Sequence, residues 1–287
     1  MCIRDSYHGL SRLGLRRMLA DFKPDLIFQI DHNRFEHGDL FPASIPFVNW
    51  IQDLLPHLMT EKTGLQLTPR DFVLTMSLQR WVDVYKYPAA QCLEFRKLTR
   101  IPARPISWAS RDERVVYVSN WSQSPQTIRE ELTRPCEGKT RDVIDAACVR
   151  MIAAFDAGQS FYTPGDCRRL LLEVMRDQQV QADAALISEA ATRLSDRLMN
   201  LLFRQQGLLW AQQACHELGL TLEIYGNGWE KHPKFARHAC GTIGYGDDLE
   251  ELTRSAGMTL VLEPFVSIAH QRLLDAIAAG GFCVARY

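Results

Sequence analysis

The sequence lacks a long uninterrupted apolar run, and it lacks an excess of charge of either sign. Its 287 residues include 33 lysines and arginines against 34 aspartates and glutamates, and the formal net charge is -1. A membrane-spanning helix needs about 20 consecutive apolar residues, whereas the apolar run at residues 258–266 is interrupted by Thr259, Glu263 and Pro264. Bulk electrostatic binding of nucleic acid needs a basic face, which a near-neutral chain does not favour. We therefore expect no transmembrane segment and no nucleic-acid partner.

No two of the eight cysteines are spaced as a C-x-x-C pair, the pattern that would indicate a structural zinc site or a redox motif. Several of them lie in apolar patterns, where a free cysteine behaves as a small hydrophobic residue. We expect a reducing, cytoplasmic environment, without a disulfide framework and without a metal. The cysteines are Cys2, Cys92, Cys136, Cys148, Cys167, Cys215, Cys240 and Cys283.

Short apolar runs that end in polar residues recur along the chain and alternate with helical patterns. Hydrophobic residues make up 46% of the sequence, which is enough to bury a sizeable core. Such runs are typical of buried parallel strands, and their alternation with helices predicts an α/β fold. A helical stretch separates the fourth run from the fifth, and the last four runs are expected to form one parallel sheet. The predicted strands lie at residues 25–30, 45–51, 72–76, 114–119, 220–225, 258–262 and 282–285.

A stretch at residues 101–113, which contains two prolines and a polar run, is the best candidate for a domain boundary. It divides the chain into one α/β unit at residues 7–105 and a second at residues 106–287, which includes the helical segment at residues 122–218. The first six residues fit no structural pattern, and the last apolar run is not followed by a helix. We therefore expect both units to be incomplete and the chain to be a fragment of a longer protein.

The strongest candidate site begins where the predicted strand at residues 220–225 ends. The next residues read Gly-Asn-Gly-Trp, and the glycines at positions 226 and 228 would let the backbone turn tightly and approach a ligand. Further along, His270 and Arg272 lie in the first turn of a predicted helix, whose free N–H groups favour an anion such as a diphosphate. Asp275 follows one turn later, where a carboxylate suits a ribose diol. These positions follow the carboxyl ends of predicted strands, where open α/β sheets bind ligands, although a plain turn and a solvated helix end would show the same residues.

Three motifs in this part of the chain carry a resemblance to a known family. They are Tyr225-Gly-Asn-Gly-Trp229, then Gly241 with Gly244-Tyr-Gly246, then His270-Gln-Arg272 with Asp275-Ala276 and Gly280-Gly281. Together they resemble the CgeB-like glycosyltransferases of the spore-maturation type. The resemblance extends more weakly to residues 24–31, 50–53 and 115–120, and it is most specific after residue 220.

The resemblance implies a GT-B architecture, in which two Rossmann-like domains face a cleft. Residues 7–105 would form the acceptor side, and residues 106–287 would hold a nucleoside-diphosphate sugar, which is a substrate and not a cofactor. No cofactor and no metal are expected, and no Asp-x-Asp follows a predicted strand, as a metal-dependent alternative fold would require. The acceptor, whether a glycan, a protein or a small molecule, is left open. The implied donor-binding residues are Gly226, Asn227, Gly228, Trp229, Gly246, His270, Arg272 and Asp275.

One departure from the pattern of the family concerns the catalytic pair. Many retaining enzymes of GT-B architecture carry two glutamates eight positions apart, whereas this sequence has Ser267 at the first position and Asp275 at the second. The resemblance therefore supports donor binding better than it supports a particular catalytic mechanism. Two alternatives stay open: a nucleotide-sugar epimerase of the same fold, and a non-catalytic nucleotide-sugar-binding module, which the serine slightly favours.

Three polar residues of the N-terminal half are candidates for a general base that activates the acceptor hydroxyl. Asp31 and His32 follow the predicted strand at residues 25–30, and Asp53 follows the one at residues 45–51. Aspartate and histidine can both fill this role when they lie within hydrogen-bond reach of the hydroxyl. The same residue types are common in turns and helix caps, so structural roles are also compatible with their positions.

Overall fold

The chain folds as an α/β protein, as the sequence predicts, and its described part contains two parallel sheets of four strands each. Contacts within the chain divide it into two units, residues 1–98 and residues 99–287. This division falls a few residues before the stretch that the sequence proposes as a boundary. The computed structural model describes residues 11–53, 55, 57–96, 99, 106–121, 123–159, 163–181, 184–263 and 271–285.

The sheet of the first unit has its four strands side by side in chain order. Ile27 pairs with Phe47, Phe47 with Asp71 and Val73 with Cys92, and all three pairings are parallel. The first three strands match apolar runs of the sequence. The fourth strand is missed by sequence analysis, because three residues at a largely exposed edge are too few to show a hydrophobic pattern. The strands are β1 (Ile27–Ile30), β2 (Phe47–Ile51), β3 (Asp71–Thr75) and β4 (Cys92–Glu94).

Two clusters of buried apolar side chains stabilise the first unit. Trp81 is fully buried, and its ring centroid lies 5.1 Å from that of Tyr87. Ile27, Phe41 and Phe47 belong to the second cluster. The helices of this unit are α1 (Arg12–Phe22), α2 (Glu61–Gly64) and α3 (Leu78–Asp83), and 3₁₀ turns lie at Arg34–His37 and Ala89–Gln91.

The sheet of the second unit does not keep the order of the chain. Its first strand lies between two later ones, because Val115 is in parallel register with Leu222 on one side and with Met258 on the other. The sequence predicts that these strands form one parallel sheet, and the pairing confirms it. The strands are β5 (Asp112–Val118), β6 (Thr221–Tyr225), β7 (Ala256–Val261) and β8 (Cys283–Ala285), and their order across the sheet is β6-β5-β7-β8.

A bundle of helices lies between β5 and β6 in the sequence and has an apolar core of its own, in which Leu194 and Leu198 are fully buried. Cys148 and Cys167 lie in the same core, and burial raises the pKa of each thiol to about 12, so both stay protonated at neutral pH. Gly219, at φ 71°, ends the last helix in the left-handed conformation that a C-terminal glycine favours. The helices are α4 (Pro125–Thr133), α5 (Gly138–Asp156), α6 (Pro164–Asp177), α7 (Ala184–Leu194) and α8 (Asn200–Leu218), with a π-helical turn at Ser195–Met199.

Two further helices contact the second sheet. They are α9 (Asp247–Ser255), which leads directly into β7, and α10 (Gln271–Ala278), which precedes β8. Short 3₁₀ turns lie at Trp108–Ser110, Trp229–Lys231 and Ala236–His238. Within the described residues, none of the helices combines the length and the apolar character that crossing a membrane requires.

Candidate functional site

A cavity of about 460 Å³ lies at the carboxyl ends of β5 and β7 in the second unit. The chain forms β6 on one side of β5 and then forms β7 on the other side, so the strand order reverses between β5 and β7. Open α/β sheets bind ligands in the crevice at such a reversal. Residues of α9 and α10 form the walls of the cavity. Its polar lining includes Ser119, Asn120, Gly226, Asn227, Arg272 and Asp275.

The turn after β6 is joined to the turn after β5 at the rim of this cavity. Gly226 has φ 136°, and a Cβ atom at this position would lie 2.1 Å from the carbonyl oxygen of Ser119. The N–H of Asn227 donates to Oδ1 of Asn120 at 2.9 Å, and the N–H of Trp121 donates to the carbonyl of Asn227 at 2.9 Å. Glycine is therefore required where the two strand ends meet. The sequence predicts that this glycine approaches a ligand closely, whereas the atoms closest to Gly226 belong to Ser119 and Asn120.

Gly228 and Trp229, which the resemblance assigns to the donor site, lie behind the rim and do not line the cavity. Gly228 has φ 89°, and a Cβ atom there would lie 2.1 Å from the carbonyl oxygen of Trp121. Trp229 is 3% exposed, its indole N–H donates to the carbonyl of Ser119, and its ring packs against that of Phe235. The contacts of both residues are therefore with the protein core, which holds the rim in place.

Arg272 and Asp275 lie one turn apart on α10, and both line the cavity. Arg272 is exposed, and its Nη1 lies 3.4 Å from Oγ of Ser119. Oδ1 of Asp275 accepts hydrogen bonds from Oγ1 of Thr99 at 2.8 Å and from Nε2 of Gln271 at 2.6 Å. The structure thus places the guanidinium of Arg272 and the carboxylate of Asp275, both predicted from sequence, on the same wall of the cavity.

Two other positions named by the resemblance are Gly246 and His270. Gly246 lines the cavity immediately before α9. Its neighbour Tyr245 is exposed and places its hydroxyl 3.5 Å from Oδ2 of Asp275 on the facing helix. His270 lies outside the described residues, as does Ser267.

Several residues that line the cavity are not predicted from the sequence. Ser119 and Asn120 directly follow β5, so the rule that ligands bind at strand ends could have found them. Thr259 in β7 carries no such signal. Its side chain borders the cavity, and its hydroxyl oxygen is buried without a hydrogen-bond partner among the described residues. Buried polar atoms usually have a partner, so this hydroxyl is an exception within the site.

The three candidate bases lie at the carboxyl ends of β1 and β2 in the first unit. Asp31 is 4% exposed and has φ 60°, and its Oδ1 accepts from the N–H of Gln52 at 2.7 Å and from the N–H of Asp53 at 3.0 Å. This carboxylate therefore bonds the backbone amides that follow β2, which is the turn-capping role that the sequence left open for Asp31. His32 and Asp53 are exposed, and Nδ1 of His32 lies 2.9 Å from Oε2 of Glu36.

The cavity of the second unit is lined by the guanidinium of Arg272, the carboxylate of Asp275 and the side chains of Asn120 and Asn227. A guanidinium matches the oxygens of a phosphate group, and a carboxylate accepts hydrogen bonds from hydroxyl groups. Comparisons of the chain with protein-family models, with curated proteins and with solved structures give no match.

Proposed function

We propose that this chain is a glycosyltransferase of the GT-B, CgeB-like type, which binds a nucleoside-diphosphate sugar in the cavity of the second unit and transfers the sugar to an acceptor. The observation that carries the proposal is the position of Arg272 and Asp275 on one wall of a cavity at a reversal of strand order. Its volume of about 460 Å³ falls within the range of about 300–1,000 Å³ that is typical of small-molecule sites.

In this proposal Arg272 binds the diphosphate. Its Nη1 lies 3.4 Å from the hydroxyl oxygen of Ser119, so one phosphate oxygen can accept hydrogen bonds from both groups. Negative charge develops on the diphosphate as it leaves the sugar, and a cation already in position stabilises that charge in the transition state. A charge-assisted hydrogen bond of this kind is worth about 1.5–3 kcal/mol.

Asp275 holds hydroxyl groups of the ribose or of the transferred sugar. Its Oδ1 already accepts from Thr99 and Gln271, and these two contacts fix the orientation of the carboxylate. Its Oδ2 lies 3.5 Å from the hydroxyl of Tyr245, which is longer than an ordinary O–H···O hydrogen bond of about 2.7–2.8 Å. Oδ2 therefore keeps the capacity to accept a hydrogen bond from the ligand.

The first unit supplies the acceptor side in this proposal. An acceptor hydroxyl needs a general base within hydrogen-bond reach. His32 and Asp53 are the exposed candidates, whereas the carboxylate of Asp31 is engaged by backbone amides. We therefore favour His32 or Asp53 over Asp31 for this role.

Calorimetric titration of the full chain with UDP, GDP, ADP and dTDP sugars tests the donor site. Arg272→Ala should weaken binding of the preferred nucleotide sugar about tenfold or more, because a charge-assisted contact to phosphate is lost. Arg176→Ala is the matched control, because Arg176 is exposed on α6 in the helical bundle. Failure of all four nucleotide sugars to bind, or equal affinities of Arg272→Ala and the wild type, would contradict the proposal.

Product analysis then separates three functions that would share this donor site. A glycosyltransferase consumes the donor at a rate that depends on an added acceptor. An epimerase converts the donor sugar without an acceptor, and a binding module leaves the donor intact. We expect the acceptor-dependent result.

A further inference from the structure

A cluster of two histidines and one glutamate lies in the first unit. His32 follows β1, Glu36 lies one turn later in the 3₁₀ turn Arg34–His37, and His57 comes from the loop after β2. Oε2 of Glu36 lies 2.9 Å from Nδ1 of His32 and 3.4 Å from Nε2 of His57. One nitrogen or oxygen atom from each of the three side chains lies within 4.8 Å of the other two.

We propose that His32, Glu36 and His57 form a binding site for a divalent transition-metal ion of the Zn²⁺ class. A tetrahedral Zn²⁺ ion with bonds of about 2.0–2.1 Å holds its ligand atoms about 3.3 Å apart. The two distances to Oε2 of Glu36 lie on either side of that value, and the two histidine nitrogens lie within 4.8 Å of each other, so rotation of the imidazoles towards each other would complete the geometry. Two imidazoles and one carboxylate also make up a donor set that suits borderline metals rather than Ca²⁺ or Mg²⁺.

Hydrogen bonds fix the carboxylate of Glu36 and the backbone of both histidines before any ion binds. Oε1 of Glu36 accepts from the N–H of Asn33 at 2.7 Å, which leaves Oε2 directed at the histidines. The N–H of His32 donates to Oδ1 of the buried Asn49 at 3.2 Å, and the carbonyl of His57 accepts from the hydroxyl of Thr63 at 2.8 Å. A hydrogen bond such as the one to Oε1 orients a ligating carboxylate and raises the affinity of a metal site.

The site is accessible and has room for a further ligand. The side chains of His32 and His57 are 52% and 44% exposed. Three protein ligands leave at least one coordination position for water, as in zinc sites that exchange their fourth ligand. A metal bound here would occupy His32 and leave Asp53 as the candidate base, and it departs from the expectation that the chain binds no metal.

Titration of Zn²⁺ into the metal-free full chain tests this site without any nucleotide, so its outcome is independent of the proposed transferase activity. We expect one ion to bind per chain and His57→Gln to weaken binding about tenfold or more. His216→Gln is the matched control, because His216 is exposed on α8 and lies outside the cluster. Absence of binding, or an unchanged affinity of His57→Gln with the fold intact by circular dichroism, would overturn the proposal.

Absorption of bound Co²⁺ supplies the second readout, because the chain also carries an exposed thiol at Cys240. Cobalt held by two imidazoles and a carboxylate shows weak visible bands, whereas a thiolate ligand adds an intense charge-transfer band in the near ultraviolet. We expect the weak bands alone, and their loss in His57→Gln. A charge-transfer band that persists in His57→Gln would assign the bound ion to a cysteine and overturn the proposal.

Discussion

The two sheets of this chain each contain four parallel strands, but their strand orders differ. In the first sheet the strands follow chain order, so successive connections run in one direction along the sheet. In the second sheet β5 lies between β6 and β7, so the connections diverge from the carboxyl end of β5. Diverging connections leave a crevice at the strand ends, and the cavity of about 460 Å³ lies at this point.

At the carboxyl end of the first sheet, buried polar side chains bond to each other and to the backbone. Oδ1 of Asp31 accepts from the amides that follow β2, and Nδ2 of the buried Asn49 donates to Oδ1 of Asn33 at 2.9 Å. In the second sheet the strand ends are joined by a backbone approach at Gly226. Parallel sheets of equal size therefore differ at their carboxyl ends: polar side chains bond to each other and to the backbone in the first sheet, whereas a cavity lies at the reversal of strand order in the second.

The largest expected effect comes from breaking the buried polar contacts of the first unit. Nε of Arg34 donates to Oδ1 of Asp71 at 2.6 Å, and the two side chains are 6% and 3% exposed. Arg34→Met should lower the free energy of unfolding by about 3–5 kcal/mol, because it leaves a buried carboxylate without its partner. Urea unfolding of the full chain measures this change.

Two variants show whether burial is the cause of that loss. Arg16→Met removes an exposed ion pair with Asp39 in the same unit and should change stability far less, because solvent screens such pairs. Arg34→Met combined with Asp71→Leu should recover part of the loss, because the unpaired charge is gone. Equal losses in Arg34→Met and Arg16→Met would show that the buried network does not stabilise the first unit.

The second-largest loss of stability is expected where the turn after β6 contacts the turn after β5, at Gly226. Gly226→Ala should destabilise the chain by about 3–4 kcal/mol, because the new Cβ meets the carbonyl of Ser119 at a φ that alanine rarely adopts. Gly219→Ala is the matched control, since Gly219 has φ 71° but no atom within 4 Å of its Cβ position. That variant should lose about 1 kcal/mol, from backbone strain alone. If both variants unfold at the same urea concentration, the close approach at Gly226 does not stabilise the rim.

The sequence predicts the parts of this structure that repeat a physical pattern over several residues. The four strands of the second sheet each contain an apolar run, and Gly219 ends a helix where the apolar periodicity stops. Pro164-Gly165 is typical of a turn, yet it forms the first helical turn of α6, because Thr163 and Asp166 cap that helix reciprocally. Local composition could not distinguish these two outcomes, since proline is compatible with both.

The candidate site is less predictable, because its residues meet only after folding. Arg272 and Asp275 are found from sequence since they share one helix that follows a strand. Trp229 belongs to another motif of the same resemblance, but its indole is buried behind the rim, and a motif does not show which side of a turn a ring occupies. Glu36 and His57 are separated by β2, so no spacing rule brings them together.

A smaller, pH-dependent effect on stability is expected from His232, whose ring packs against Trp229 and Phe235 behind the rim of the cavity. Burial, with a contribution from Lys234, lowers the pKa of His232 to about 4. The unfolded chain binds this proton near pH 6.5, so the contribution of neutral His232 is complete above pH 6.5 and declines as the pH falls towards 4. Between pH 7 and pH 5 the loss should be about 2 kcal/mol.

His232→Gln measures this contribution, because glutamine does not titrate. The urea midpoint of the wild type should fall more steeply between pH 7 and pH 5 than that of the variant. The comparison of slopes is insensitive to the packing that the ring itself provides, since that loss is the same at both pH values. Parallel slopes would mean that His232 takes up its proton without a cost to the fold.

The smallest effect distinguishes two threonines that border the cavity. The hydroxyl of Thr253 donates to the carbonyl of Leu249 at 2.6 Å, whereas that of Thr259 is buried without a partner among the described residues. Thr259→Val should therefore leave the free energy of unfolding unchanged or raise it by up to about 1 kcal/mol, because a desolvated hydroxyl is removed at nearly constant volume. Thr253→Val should lower it by about 1 kcal/mol, because a hydrogen bond is lost. A loss in Thr259→Val as large as that in Thr253→Val would show that the Thr259 hydroxyl has a partner outside the described residues, and the edge of the second sheet would then be closed by polar contacts like that of the first.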